Sequence, residues 1–532
     1  MTSGFLPLIL LYPEIHYRFK KFPFSMYYKK QPEILFDLPY KSRTGKFPVF
    51  LIIKDADLFP VLIWEIKFTL MSEDGKPFIK THLLQKKFSS RIDIQIFEFD
   101  MGETKGFVTM AAEARFYFGG QLSSATNDNL SKYINELEIY INDDEELFDG
   151  FIQGDLHYHS YFTSDQVEFG APAEAARICA ACLGLDFFAL TDHSYDLDDE
   201  PDDYLKNDPE LKKFSEMKTA CGELSDDQVT VIPGEEVTVR NAKNRNVHIL
   251  AYDAPFFHGS GDSAEKWFST RSENSIGDVV SGAGEGSLVI AAHPFTKVPW
   301  LEYLFVRRGK WSIEDITGND ITHIQILNGD FDEDFFKSIA AWVGLLLKGH
   351  RIFITAGNDA HGNFNIFRQV KIPMFSLISA HKQLFGKCRT VVFSESGSQE
   401  DIINSVKKGA VYITDGPHIL FTVTDGGNIY DIGSEFKAVN EKLEAEFFIT
   451  SSAYSGPIKG IVIYRGSIRG FEEKILYKNQ LVERTYTFND KIEMINDGID
   501  HYIRIEVYTS VTHANGKYYE HRAYSNPVWI KK

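Results

Sequence analysis

Over residues 1–148 the clearest pattern of apolar and polar positions has a period of two. Ile92, Ile94 and Ile96 alternate with Arg91, Asp93 and Gln95, and Leu137, Ile139 and Ile141 alternate with Glu138 and Tyr140. Successive side chains of a strand point to opposite faces, so this alternation predicts half-buried antiparallel strands. No long amphipathic helix interrupts them, and an N-terminal β-sandwich-like domain is expected. The acidic stretch 142–146 reads as a linker. The same grammar returns over 416–532, where Leu443, Ala445 and Phe447 alternate with Glu444 and Glu446, and Ile503, Ile505 and Val507 with Arg504 and Glu506. Turn residues such as Asp425-Gly426-Gly427 and Ser455-Gly456-Pro457 punctuate it, so a second β-sandwich-like domain is expected there.

The middle segment, 149–415, is patterned differently. Seven short apolar runs, at 154–159, 187–191, 229–233, 247–252, 287–292, 323–327 and 351–355, alternate with helix-like stretches at 173–183, 334–347 and 399–408. Alternating strand and helix predicts an α/β fold with a parallel sheet, and seven units predict a closed or nearly closed TIM-like β/α barrel.

Composition narrows the function classes. Aromatics make up 14% of the chain, which favours pleated, half-buried surfaces. A net charge of −19, with no long run of Lys or Arg, argues against nucleic acid and anionic membranes as partners. It leaves room for a small anionic substrate, because bound metal ions can dominate the local field. Four cysteines are too few for a disulfide scaffold, and Cys179-x-x-Cys182 sits in an alanine-rich helical stretch, where small buried residues are expected. The apolar stretch 5–12 lacks a basic flank and a cleavage site, and no apolar run approaches the length of a membrane span; a cytoplasmic location is expected.

The chemistry-bearing residues fall on or just after the apolar runs. His157 and His159 stand two apart on the first, so both can face one ion. Asp165 follows in a loop. The second run ends in Thr191-Asp192-His193, and the third in Pro233-Gly234-Glu235-Glu236, with either glutamate available as a ligand. The fourth carries His248, the fifth ends in His293-Pro294, the sixth ends in Asn328-Gly329 without a ligand, and the seventh leads to Asn358-Asp359-Ala360-His361. The C-terminal rim of a parallel barrel collects such residues into a site. Imidazole and carboxylate together suit zinc, manganese or iron. Any one of these histidines could be an ordinary core or surface residue, but a His or acid at nearly every strand end is a poor coincidence. His258, His323 and His350 lie off these positions and read as structural. The acidic run Asp196–Asp203 reads as a solvated loop.

In their order, His157-x-His159, Thr191-Asp192-His193, Pro233-Gly234-Glu235-Glu236, His293-Pro294 and Asp359-x-His361 resemble the PHP (polymerase and histidinol phosphatase) family. The resemblance covers about half the chain, and an ending in Asp-x-His distinguishes it from amidohydrolases. It implies a distorted seven-stranded barrel and up to three divalent ions per chain. His157, His159, Glu236 and Asp359 would hold the first ion; Glu236, selected over Glu235 by the Gly-x-Glu spacing, would share the second with His248 and His293; Asp165, His193 and His361 would hold the third. Asp165 falls one position later than the usual spacing, and Asp192 is expected to orient a ligand. Longer phrases, Gly154–Ser160, Val411–Pro417 and Ser525-Asn526-Pro527, look like a stand-alone, carbaryl-hydrolase-like branch of the family.

The reading that follows is a metal-dependent hydrolase, a phosphoesterase for a small phosphorylated molecule, with His193, Glu236 and Asp359 at the catalytic centre. Metal-activated water would attack phosphorus, with Lys297 or Arg240 as candidate anion clamps. The alternative is a carboxyl or carbamate ester hydrolase using the same ions, with Phe295 and Trp300 lining a more apolar pocket. A third reading is a non-catalytic, metal-stabilised binding protein, which so large a ligand set disfavours. No dinucleotide fingerprint, nucleophile elbow or phosphate-cradling loop is present. The sequence leaves the oligomeric state and the role of the flanking domains open.

Overall fold

A computed structural model describes residues 31–130, 136–163, 170–200, 203–259, 261, 270–365, 369–372, 375–378 and 383–532. The apolar stretch 5–12 and the predicted ligand Asp165 lie outside the described residues. Among them, no helix is long and apolar enough to cross a membrane.

The expected α/β class is corrected by the structure. Strands dominate, and half of those described belong to one 16-stranded mixed sheet. The apolar runs of the middle segment form the strands Phe151–His159, Phe187–Leu190, Thr230–Arg240, Asn246–Tyr252, Leu288–Ala291, His323–Asn328 and Phe353–Gly357, side by side in chain order. They are not the uniformly parallel units of a β/α barrel. Thr230–Arg240, Asn246–Tyr252 and Leu288–Ala291 pair antiparallel. A polar turn at 241–245 joins the first two, far too short for the crossover that parallel strands need. Phe151–His159 also pairs with Arg389–Phe393, and the sheet then runs through Val411–Thr414 into Tyr518–Ser525.

Nor is the C-terminal segment a separate sandwich. The outer strands of the large sheet share a core with the four-stranded sheet built on His418–Asp425, Lys442–Thr450 and Thr487–Ile495. Phe421, Phe447, Ile461 and Ile505 fill that core together with Val391 and Tyr412 of the central strands. Alternation drives this packing: Leu443, Ala445, Phe447 and Ile449 are buried along Lys442–Thr450, while Glu446 is exposed. The N-terminal strands form a three-stranded and a five-stranded sheet. Their core is continuous with the helix Ala173–Leu183, whose Cys179 is one of its buried small residues.

The central strands are buried on both faces, as in Phe187–Leu190 and Phe353–Gly357. Helices cover them and are capped by sequence. Ser275 and Asp278 form a reciprocal N-terminal box, and Ser398 caps Gln399–Lys408. The latter helix stops at Gly409, at φ +72°, where a Cβ would lie 2.0 Å from the Phe353 ring.

The stretch expected as a linker is a buried ionic lock. Glu145 accepts from Lys41 Nζ at 2.8 Å and from Arg389 Nη1 at 2.7 Å, with His418 Nε2 at 3.3 Å. Lys41 also meets Asp143 at 3.1 Å. Arg389 donates to Gln153 at 2.8 Å, and Ser452 to Asp143 at 3.2 Å. The lock therefore ties the N-terminal sheet, the Phe151–His159 strand and the C-terminal strands. Removing one partner of a buried pair strands the other charge. Glu145→Gln is expected to destabilise the chain by about 3–5 kcal/mol, read from denaturant unfolding.

His323 is structural. Its Nε2 donates to Val406 O at 3.0 Å, and in the neutral ring Nδ1 accepts from Thr322 Oγ1 at 2.9 Å. Burial pushes its pKa down to about 4. Below pH 6.5 the unfolded chain takes up a proton that the folded ring refuses, so this group's contribution is lost as pH falls from 6.5 towards 4. The loss reaches about 3 kcal/mol. In His323→Gln the fall in unfolding free energy between pH 7 and 4.5 is expected to be smaller than in the unaltered protein by that order.

Candidate metal centre

Neighbouring strands and the turns after them deliver the site. Phe151–His159 carries His157 and His159, and their Nε2 atoms converge to 3.1 Å. His193 and Glu236 are paired through their backbones, with Glu236 N donating to Asp192 O at 3.1 Å. His248 O accepts from Ala292 N at 3.1 Å, which brings His293 alongside. Asp359 N donates to His157 O at 2.8 Å, and the Ala360–His361 strand pairs with His159. At Gly357 a Cβ would stand 2.6 Å from that of His157, so this close approach requires glycine. His293 and Asp359 adopt φ of +30° and +51°, a conformation that costs about 1–3 kcal/mol in non-glycine residues and clusters at functional sites.

Apart from Asp165, every predicted ligand is brought together. Three adjoining groups have one ligand atom per residue within 4.8 Å of the others: His157, His159, Glu236 and Asp359; Glu236, His248 and His293; and His159, His193 and His361. His159 thus joins the group expected to contain Asp165. Glu236, not Glu235, is the shared carboxylate. Its Oε1 lies 2.5 Å from His248 Nδ1 and 3.3 Å from His293 Nε2. Its Oε2 lies 3.1 Å from His193 Nδ1, 3.2 Å from His159 Nε2 and 3.5 Å from His157 Nε2, with no regular hydrogen bond. Asp359 Oδ1 stands 3.3 Å from His159 and 3.5 Å from His157. Glu236 is 1% exposed, whereas Asp359, His293 and His361 have side chains 11–17% exposed, so the centre opens on their side.

Although burial disfavours charge at both groups, the His248 and His157 imidazoles hold Glu236 well below the usual carboxylate range. The Glu236 and Asp359 carboxylates in turn raise His157. Burial pushes His293 down. Imidazole nitrogens and carboxylate oxygens converging this closely, with Glu236 Oε2 left without a regular hydrogen bond, are a fitting donor set for divalent ions.

Of the residues that orient these ligands, the sequence pointed to Asp192 and to none of the others. Gln325, on the strand thought to contribute nothing, presents Oε1 to His157 Nδ1 at 2.8 Å. A lone amide between Ile324 and Ile326 in a buried strand was the available signal. Thr163 Oγ1 meets His159 Nδ1 at 3.2 Å and donates to Asp192 at 2.7 Å. Asp192 also accepts from Ser160 N and Oγ at 2.8 Å each, so it holds the loop behind His159. Asp155, pushed up to about 6 by burial, accepts from Asn358 Nδ2 at 2.7 Å and ties the first strand to the Asp359 turn. Gln383 donates to Asp359 Oδ2 at 2.9 Å. Glu235 points away, accepting from Ser194 at 2.9 Å and Phe257 N at 3.0 Å. Asp196, Asp198 and Asp199 are buried, which corrects the solvated loop expected there; Asp198 accepts from His258 Nδ1 at 3.0 Å.

No family model and no curated protein matches the chain. Among solved structures, it is similar to a Parabacteroides merdae beta-glucuronidase at 8% identity and a TM-score of 0.20, covering 94% of this chain and 65% of that one. A beta-D-mannosidase from Dictyoglomus thermophilum is similar at 9% identity and a TM-score of 0.22, covering 92% and 65%. The chain therefore spans less than two thirds of either protein, and likeness at such scores carries no argument about fold or chemistry.

A hydrogen bond from the far ring nitrogen fixes the tautomer of a ligating histidine. Gln325→Leu is expected to weaken metal binding by about 10–100-fold in chelator competition, with the circular dichroism spectrum unchanged.

Proposed function

We propose that this chain is a metal-dependent hydrolase of the PHP type, a phosphoesterase acting on a small phosphorylated molecule. The observation that carries this reading is the buried carboxylate of Glu236 shared between adjoining groups of imidazoles at the ends of neighbouring strands. His157, His159, Glu236 and Asp359 would hold one ion, Glu236, His248 and His293 a second, and His193 and His361 with His159 a third. Zinc, manganese or iron suits this donor set. Such ions would supply Lewis acidity, lowering the pKa of water and offsetting charge on the ester oxygens.

The chain's own residues supply the preorganisation. Gln325 and Thr163 occupy the Nδ1 atoms of His157 and His159 and leave both Nε2 atoms facing the carboxylates. Glu236 spans the floor of the centre, where burial excludes bulk water and strengthens every charge interaction. Asp359, held by Gln383 and by the His157 carbonyl, stands at the open side with His293 and His361. These three side chains are the first that an entering ester meets.

The experiment that tests this pairs two p-nitrophenyl substrates, a phosphate monoester and a carboxyl ester, on the metal-replete protein. The expected outcome is turnover of the phosphate that is lost in Asp359→Asn and in His193→Ala while the fold persists. Turnover of the carboxyl ester alone would move the assignment to ester or carbamate hydrolysis. Full activity in both variants would sink the metal centre as the seat of the reaction.

A further inference from the structure

The strand Phe151–His159 ends at the histidine cluster and begins at a cavity of about 230 Å³. Phe151 stands about 20 Å along the strand from His157. Three aromatic walls of the cavity come from neighbouring strands of the large sheet: Phe151, Phe393, which pairs with it, and Tyr412. Phe421 closes it from the four-stranded sheet, and aliphatic side chains complete the lining. Two carboxylates, of Asp149 and Asp431, also line it, and among the described residues no basic one does. We propose that this cavity binds a small organic ammonium ion, with the apolar body among the rings and the charged end at the two carboxylates. Such a site is separate from the Glu236 centre and does not depend on the chemistry assigned there.

The rings form a corner. The centroid of Phe151 lies 5.6 Å from that of Phe393 at an interplanar angle of 74°, and 6.2 Å from that of Tyr412 at 47°. Rings inclined in this way do not close on one another as a stack. The π face of an aromatic ring attracts an ammonium group, and the same rings bury the carbon body that carries it. The Tyr412 hydroxyl lies 3.0 Å from His418 Nδ1 and is engaged there, so this residue contributes its ring. Phe393 is 45% exposed. It rests on Gly150, where φ is +78° and a Cβ would lie 2.6 Å from the ring. Asp149 precedes that glycine, so the turn sets an exposed ring and a carboxylate side by side.

Charge selects the guest. Among the described residues, neither Asp149 nor Asp431 takes part in an ion pair or a side-chain hydrogen bond. Although Asp431 keeps contact with solvent, the surrounding protein raises its carboxyl, and no cation offsets this. Arg351 donates to Gly433 O at 3.1 Å, but its charge meets Glu435 at 3.8 Å and its guanidinium lies over the Phe353 and Trp529 rings. Two carboxylates lining one space repel each other, and a cation relieves that repulsion where a neutral guest leaves it and an anion adds to it. Size sets the rest. An apolar cavity of about 150 Å³ accepts a benzene molecule. The larger volume here suits one ring with a short amine arm.

The test is calorimetric titration of phenethylammonium into the full chain, beside three probes that each change one feature: phenethyl alcohol without the charge, phenylpropionate with the opposite charge, and ethylammonium without the ring. Phenethylammonium is expected to bind at one site per chain and more tightly than all three. Asp431→Asn is expected to lower its affinity about tenfold, and Phe393→Ala by a similar factor, with the circular dichroism spectrum unchanged in both. If Phe393→Ala fails to fold, the exposed Asp431→Asn decides alone. Absence of binding to the unaltered protein overturns the proposal, as does equal affinity for phenethyl alcohol or ethylammonium. Binding that survives Asp431→Asn and is lost in Asp359→Asn also overturns it, by placing the ammonium group at the metal centre instead.

Discussion

The buried carboxylate of Glu236 organises the centre of this molecule. Five imidazoles, of His157, His159, His193, His248 and His293, bring a ring nitrogen within 2.5–3.5 Å of it. A charge at such depth is unfavourable unless opposite charge or a cation meets it. Lone-pair donors packed this closely likewise repel one another unless protons or cations lie between them. The surrounding scaffold holds the set in place: the strands and turns that carry it are laced backbone to backbone, His293 and Asp359 sit at positive φ, and Gln325, Thr163 and Asp192 orient the rings from behind. This preorganisation is what keeps so dense a set of donors in one arrangement.

A second constraint acts at a distance. The three segments of the chain are not independent bodies joined by linkers. The large sheet passes from the histidine-bearing strands into the C-terminal strands, and the N-terminal core merges with the Ala173–Leu183 helix. Where these parts meet, Glu145 is buried with Lys41, Arg389 and His418. Such a lock is worth less as stability than its short distances suggest, because desolvation offsets attraction. It does define how the parts meet: any slip would leave an unpaired charge in the interior. Through Gln153, the lock also contacts the strand that carries His157 and His159.

Much of the centre was legible in advance because ligand chemistry is written in short phrases. Residue type and spacing placed His157-x-His159, Glu236, His293-Pro294 and Asp359-x-His361 at strand ends, and strand geometry makes such neighbours share a face. The overall architecture was not read correctly. Val237 and Val239 continue the Glu236 strand past the site in alternation with Thr238 and Arg240, and Asn241, Asn244 and Asn246 mark a turn. That is a hairpin signature. It stands against the uniformly parallel barrel that the count of apolar runs favours. The acidic stretches were misjudged for another reason. A run rich in Asp and Glu is usually solvated, and partners far along the chain, among them Lys41, Arg389, His418 and His258, help make burial of Asp143, Glu145 and Asp198 feasible.

The sequence alone determined which strands form and which residue types stand on or just after them, since these depend on neighbours within a few positions. The tertiary structure decided which strands pair and in which direction, that His159 joins His193 and His361, that Gln325 supports His157, and that Arg308 meets His248 while Arg240 donates to Glu273 O. Each of these is a contact between residues far apart in the chain. Long-range pairing is settled by competition among whole surfaces for burial and hydrogen bonds, and no local period or spacing encodes its outcome.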